Sequence, residues 1–231
     1  MFVTHRGLEV FDQGAHIGSL DSHVLVSGLH GLACVKTATT QNVAELLPEG
    51  TVQSGHVTVL ENSRYPKLIV CSDVAVLPYP DLKQKIAITN YVIEVGHALG
   101  IDKPKVALIC ATEQVSEGIE ATVHAAVISK MADRGQIKGA FVDGPMALDV
   151  AIDKESADTK GVKGDVPGDA DCLVFPNIDA GNVFYKTNTK LCGCELAAMV
   201  VGANVPCVLS SRGDSAQTKL YSIALAALSA K

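Results

Sequence analysis

A chain of 231 residues has room for one large domain or two small ones, and 48% hydrophobic against 19% charged residues gives a filled core rather than disorder. The net charge of −6 excludes a general nucleic-acid binder, which carries a basic surface, and with no tryptophan and 4% aromatics base-stacking platforms are not expected. No run of 18 apolar residues is present to span a membrane, and the first residues lack the basic-then-apolar pattern of a signal peptide, so a soluble cytoplasmic protein is expected.

In chain order, residues 1–30 scatter Gly, His, Asp and Ser among short apolar pairs, and no period holds. Residues 29–35 read as a strand. Residues 39–47 read as a helix capped by Thr39 or Thr40 and stopped at Pro48. Residues 56–60 and 67–71 are neighbouring strands across the turn-like 62–66. Asp81 opens a helix with Leu82, Ile86, Thr89, Val92 or Ile93 and residues 96–99 inward, and Gly100 ends it. A strand at 105–110 precedes a helix at 117–132, where Ile119, Val123, Val127 and Met131 recur at a spacing of four and Gly135 stops the run. A strand at 140–142 ends in Asp143-Gly144-Pro145, helix follows at 146–152, and 156–168 is a polar loop with three glycines. A strand at 171–175, a helix at 180–191 with Asn182 and Lys186 four apart on one face, and a strand at 196–201 complete the alternation.

Residues 205–221 form a last unit. An apolar run at 205–209 reads as a buried strand, 210–215 as a polar turn with one Gly and Arg212, and from Ala216 a helix repeats Leu220, Ile223, Ala224 and Ala227. Asp214 or Ser215 caps it. Backbone N–H groups, a helix dipole and a guanidinium then converge where a phosphate would fit, although strand–turn–helix units with such caps occur throughout α/β proteins. Strands alternating with helices predict an α/β fold with a parallel sheet covered on both faces, whose ligands lie beyond the carboxyl ends of the strands. That rule selects the loops 111–116, 143–145, 176–182 and 210–215, and no dinucleotide or P-loop glycine motif occurs in any of them.

The seven cysteines read as core thiols where they fall inside apolar strands, at 71, 110, 172 and 207. Cys192-Gly193-Cys194 is the one close pair, and without a second pair or a nearby His it makes no zinc site, so no metal is expected.

Residues 170–186 (ADCLVFPNIDAGNVFYK), 142–149 (VDGPMALD) and 205–221 (VPCVLSSRGDSAQTKLY) resemble the phosphate acetyl/butyryltransferase family, nearer its butyryl branch. Weaker matches at 55–57, Asp73 and 80–111 extend the resemblance over roughly residues 30–231. It implies two parallel-sheet α/β domains of the isocitrate dehydrogenase kind with a cleft between them: domain I from 1–85 plus 204–231, domain II from 86–203. It implies acyl-CoA + phosphate ⇌ acyl phosphate + CoA, with CoA as substrate, no cofactor, and a homodimer or larger homo-oligomer. Ser211, Arg212 and Asp214 would be catalytic, and Asn182, Lys186, Asp143 and Thr218 would contact substrate. Each has a plainer reading: Asn182 and Lys186 as ties from helix to loop, Asp143 as a turn former, and Asp73 and Asp214 as caps. The chain departs from the family in its front section, in the absent first-domain Arg near Ala44-Glu45, and in Thr218 and Thr189, where the acetyl branch has Asp and Arg. These departures leave a non-catalytic acyl-CoA- or phosphate-binding homologue as the alternative. An acyl-phosphate enzyme using acyl carrier protein would need a basic surface, of which the net charge gives no sign.

Overall fold

The computed structural model describes residues 54–203, 207–208 and 214–230 in full, and 3–4, 7–8, 17–20, 23–28 and 31–37 as backbone strands. The helix expected at 39–47 lies outside the described residues. β1 (Val3–Thr4) and β2 (Gly7–Leu8) pair as an antiparallel ribbon. The other strands are β3 (Ile17–Leu20), β4 (His23–Gly28), β5 (Gly31–Thr37), β6 (Gly55–Glu61), β7 (Leu68–Ser72), β8 (Lys105–Ile109), β9 (Phe141–Met146), β10 (Cys172–Val174), β11 (Glu195–Val201) and β12 (Cys207–Val208). They form one ten-stranded sheet in the order β3-β4-β5-β12-β11-β6-β7-β10-β8-β9.

The α/β expectation holds, with a mixed sheet. β7, β10, β8 and β9 run parallel, and β8, β9 and β10 are each reached through a helical connection. β6 and β7 are joined by the short turn at 62–67, which permits only an antiparallel hairpin. β11 lies antiparallel to both β6 and β12.

Side chains alternate across this sheet with period two and feed two cores. Val57, Val59, Val70, Val106, Leu108, Cys172, Val174, Ala197 and Met199 meet one layer of helices. That layer is α1 (Leu82–Ala98), α2 (Glu120–Asp133) and α6 (Ala216–Ser229). Leu60, Ile69, Cys71, Ala107, Leu173, Leu196 and Ala198 face the other way. They meet α3 (Leu148–Ile152), α4 (Lys154–Thr159) and α5 (Ile178–Lys186). Each fully buried aliphatic side chain contributes about 1.5–3 kcal/mol, so the two layers are the main cohesive term.

Local signals set the helix boundaries. Asp81 caps α1 in a reciprocal capping box with Gln84, and Gly100, at φ +87, follows its end. Asn177 caps α5 through a bond from the Ala180 N–H, and a π-helical turn (Thr187–Leu191) continues it.

Four expectations change. α2 turns Thr122, Ala125 and Ile128 inward, leaving Ile119 41% and Val127 38% exposed, while Met131 of the expected stripe packs half-buried against the core. β9 runs on through Asp143 to Met146, with a register shift opposite Ala107–Ile109. The loop expected at 156–168 begins as α4, capped by Asp153 and braced by the Lys154–Asp158 pair. In α6 the buried face is Thr218, Ser222, Ala224, Leu225 and Ala226; the Ser222 hydroxyl donates to Thr218 O and accepts from the Ala198 N–H of β11.

The two ends of the parallel block differ. At the amino ends Lys67 bridges Asp169 (2.6 Å) and Asp171 (2.9 Å), while Lys105 bridges Asp169 at 2.5 Å. At the carboxyl ends the Asp73 carboxylate, 2% exposed, accepts from the His56, Ala75 and Val76 N–H groups at 2.9, 2.7 and 2.8 Å. Helix α5 presses on the same loop: a Cβ at Gly181 would stand 2.2 Å from the Asp73 carbonyl oxygen.

Gly→Ala inside a helix ordinarily stabilises by about 1 kcal/mol through propensity. At Gly181 the new methyl meets backbone, so overpacking reverses the sign and Gly181→Ala is expected to destabilise by about 1–3 kcal/mol. Urea denaturation checks this; a raised midpoint would show that α5 does not sit against the Asp73 loop.

Candidate functional site

The carboxyl ends of β7 and β10 open into the 73–78 loop and into Pro176–Asn177, from which α5 departs. The Asn182 side-chain amide donates to Val74 O at 3.0 Å, locking α5 to the loop it touches at Gly181. One turn later Lys186 is exposed, with its Nζ 4.8 Å from the centroid of the Tyr185 ring. The Tyr185 hydroxyl reaches across to Asp214 Oδ1 at 3.3 Å. Burial, followed by the Asp214 charge, pushes that phenol well above its ordinary range, so it acts as a neutral donor.

The Tyr185–Asp214 bond brings two of the three sequence motifs together: α5 and the turn that starts α6. Asp214 does not cap α6. Ser215 does, its Oγ accepting from the Thr218 N–H at 3.0 Å. The Thr218 hydroxyl lies 3.1 Å from the same Oγ, and Thr218 is buried, so its side chain belongs to the capping turn. Ser211 and Arg212 lie outside the described residues.

Asp143 stands apart from this group. It sits on the edge strand β9, two ladders from β10, and its Oδ1 accepts from the N–H of Gly144 next to it. Gly144, at φ +157, is required there because a Cβ would stand 2.6 Å from Leu108 Cβ. This bond is the one expected of Asp143 as a turn former.

A second polar group was not signalled by the sequence. Lys85 on α1 falls at a helical position in line with Leu82, Thr89 and Val92, where a lysine is not expected, and it is buried, with Nζ 3.2 Å from His124 Nδ1 on α2. Burial lowers the pKa of Lys85, partly offset by Cys110, Glu120 and Asp81. Burial and then Lys85 lower the pKa of His124. Burial raises the Cys110 thiol to about 11, against a smaller opposing effect of Lys85. A polar pairing between helices is a tertiary coincidence that no local pattern announces.

On the opposite face Lys160 joins Glu113 (3.2 Å) and Asp149 (3.0 Å) at the end of a groove of about 320 Å³ that also presents Asp153 and Glu155. The excess of carboxylates makes this groove a poor anion site. Among the described residues no three His, Cys, Asp or Glu side chains gather where a metal could bind, and no helix is long and apolar enough to cross a membrane.

Comparison with known proteins bears on this group of residues. The sequence profile described as phosphate acetyl/butaryl transferase matches residues 17–227. A phosphate butyryltransferase of Clostridium acetobutylicum is 51% identical over 173 residues, which is 75% of this chain and 58% of the relative. A phosphate acetyltransferase of Thermotoga maritima is 42% identical over 172 residues, 74% of this chain and 58% of the relative. Among solved structures, a branched-chain phosphotransacylase from Enterococcus faecalis V583 superposes with a TM-score of 0.71 at 32% identity, covering 80% of this chain and 66% of that one. The chain thus spans a little under three fifths of the curated relatives it matches.

The lowered His124 pKa has a stability consequence. Its folded pKa lies below its ordinary 6.5, so in the window between them the unfolded chain binds the extra proton and stability falls as pH drops through 6.5. His124→Gln is expected to flatten that part of the profile. Chemical denaturation between about pH 7 and pH 5 measures it, and an unchanged slope would contradict the burial of this pair.

Proposed function

Because the chain belongs to the phosphate acetyl/butaryl transferase family, we propose that it transfers a short acyl group between CoA and inorganic phosphate. A phosphate oxygen attacks the thioester carbonyl, the tetrahedral intermediate collapses, and the CoA thiolate leaves and takes up a proton. The observation that carries this reading is the Tyr185–Asp214 bond, which sets the α5 motif against the turn leading out of the Ser211-Arg212 segment. Lys186 brings an exposed positive charge to this place on an otherwise acidic protein.

In this proposal Arg212 grips phosphate through its paired N–H donors, and Ser211 donates to the developing oxyanion. Lys186 holds a phosphate group of either substrate. Asn182 contributes its remaining acceptor while its amide holds the loop, and Asp214 keeps Tyr185 in place and stands nearest as a base for the CoA thiol. Thr218 tunes the capping turn and is not a base, in keeping with a butyryl or branched acyl preference, which the 51% identity to a phosphate butyryltransferase also supports. The division of the chain into 1–85 with 204–231 and 86–203 is kept in this proposal as two parts that share one sheet. A cytoplasmic homodimer completes the proposal, and the apolar Ile119–Val127 face of α2 is the surface we assign to the contact.

The test is CoA release from butyryl-, isobutyryl- and acetyl-CoA with and without phosphate. Release that depends on phosphate and is fastest with a four-carbon acyl group is expected; binding of acyl-CoA without turnover would favour the non-catalytic homologue. Arg212→Lys keeps the charge and loses the paired fork, so kcat/KM should fall roughly ten- to a hundredfold, mainly through phosphate, with the melting temperature nearly unchanged. A lowered melting temperature with phosphate KM intact would make Arg212 a structural tie.

A further inference from the structure

The turn between the π-helical turn and β11 holds Cys192-Gly193-Cys194. Cys192 is exposed and Cys194 half-buried, whereas Cys71, Cys110, Cys172 and Cys207 are buried. The Cys192 and Cys194 N–H groups donate back to the Thr187 and Asn188 carbonyls at 3.1 and 3.0 Å, with Gly193 between them at φ +64. With one residue between them the two Cα atoms lie within about 7 Å of each other, near the roughly 4.4–6.8 Å that a disulfide spans. A Cβ at position 193 would meet nothing within 4 Å, so the turn is open to a small reagent.

The Cys194 thiol already has a partner. Its Sγ donates to Asn188 Oδ1 at 3.6 Å, and the same oxygen accepts from Asn62 Nδ2 at 2.8 Å. Asn188, 5% exposed, donates its own amide to Phe184 O at 2.9 Å. The thiol therefore joins a chain of hydrogen bonds that ties the β6–β7 turn to the π-helical turn and to α5.

We propose that Cys192 and Cys194 form a dithiol–disulfide exchange site for the disulfides of small thiols, and that oxidation loosens the Asn188 junction beneath α5. In the first step the Cys192 thiolate attacks one sulfur of R–S–S–R. A Cys192–S–R bond forms, and RS⁻ leaves and takes up the proton that Cys192 lost. In the second step the Cys194 thiolate attacks the Cys192 sulfur and expels the second RS⁻, which is protonated in turn. Two protein thiols lose two electrons and two protons, and the reagent gains both. Burial, then the neighbouring Cys192, raises the Cys194 thiol above its ordinary range, which assigns the first attack to the exposed Cys192.

The experiment uses the full chain and oxidised glutathione at about pH 8, where a thiolate fraction is present. After an acid quench and alkylation, peptide mass spectrometry with fragment localisation reads the products. Wild type should end with a Cys192–Cys194 disulfide and no retained glutathione. Cys194→Ser, whose hydroxyl keeps the bond to Asn188, should stop as a glutathione mixed disulfide on Cys192; Cys192→Ser should leave Cys194 at least tenfold less reactive. Amide hydrogen exchange over residues 187–194 should be severalfold faster in the oxidised wild type. Glutathione retained on Cys192 of wild type with Cys194 still alkylated, or both thiols unreacted, would overturn the exchange site. Unchanged amide exchange in the oxidised protein would overturn the coupling. Neither readout depends on acyl transfer.

Discussion

The buried carboxylate of Asp73 is the constraint on which the carboxyl end of the sheet depends. Three backbone N–H groups from two segments converge on it: His56 at the start of β6, and Ala75 and Val76 in the loop after β7. A buried charge is tolerable only when it is hydrogen-bonded in this way. Once the loop is fixed, its carbonyls face outward at set positions. Asp73 O leaves room only for Gly181, and Val74 O receives the Asn182 amide. The position of α5, and with it Lys186 and Tyr185, follows from a residue that takes no part in the proposed chemistry. Loss of this carboxylate would leave three donors unpaired as well as removing a charge.

Much of this was legible in the sequence because the signals are local. Asp81 and the glycines at 100 and 135 marked helix ends through backbone chemistry that needs no tertiary information, whereas the Asn177 cap starts α5 two residues before the expected 180. Short apolar runs in β6, β7, β8 and β10 marked strands with both faces buried. What failed was the assignment of faces on helices. Ile119, Val123, Val127 and Met131 make a regular stripe, yet α2 packs Thr122, Ala125 and Ile128 against the sheet. Both stripes carry apolar residues, and the docking of α2 on the sheet, which its own sequence does not encode, chooses between them.

The site was legible as motifs and not as geometry. The sequence placed Asn182, Lys186 and Asp214 in two separate conspicuous stretches, and the fold joins those stretches through Tyr185, a residue within a quoted motif but assigned no role. It gave Asp214 and Ser215 equal claim to the cap, which the Thr218 N–H bond assigns to Ser215. Asp143 stood in an equally conspicuous motif, but β9 carries it to the sheet edge, where it stabilises its own turn. Lys85 and His124 could not be found at all, because the pair exists only where α1 crosses α2.

The charge balance bears on where the anionic substrates of the proposed reaction would sit. With a net charge of −6, the protein offers no general attraction for phosphate or CoA, so cations must be concentrated where they act. Lys67 and Lys105 are tied to Asp169 at the amino ends of the strands, and Lys160 is held between two carboxylates. Lys85 is buried against His124. Lys186 differs: it is exposed on an aromatic face, on a helix anchored at its cap, at Gly181 and at Asn182 and joined through Tyr185 to Asp214 ahead of α6. In the proposed reaction the helix that carries this ammonium is already held in place, so its backbone needs no reordering to meet an anion.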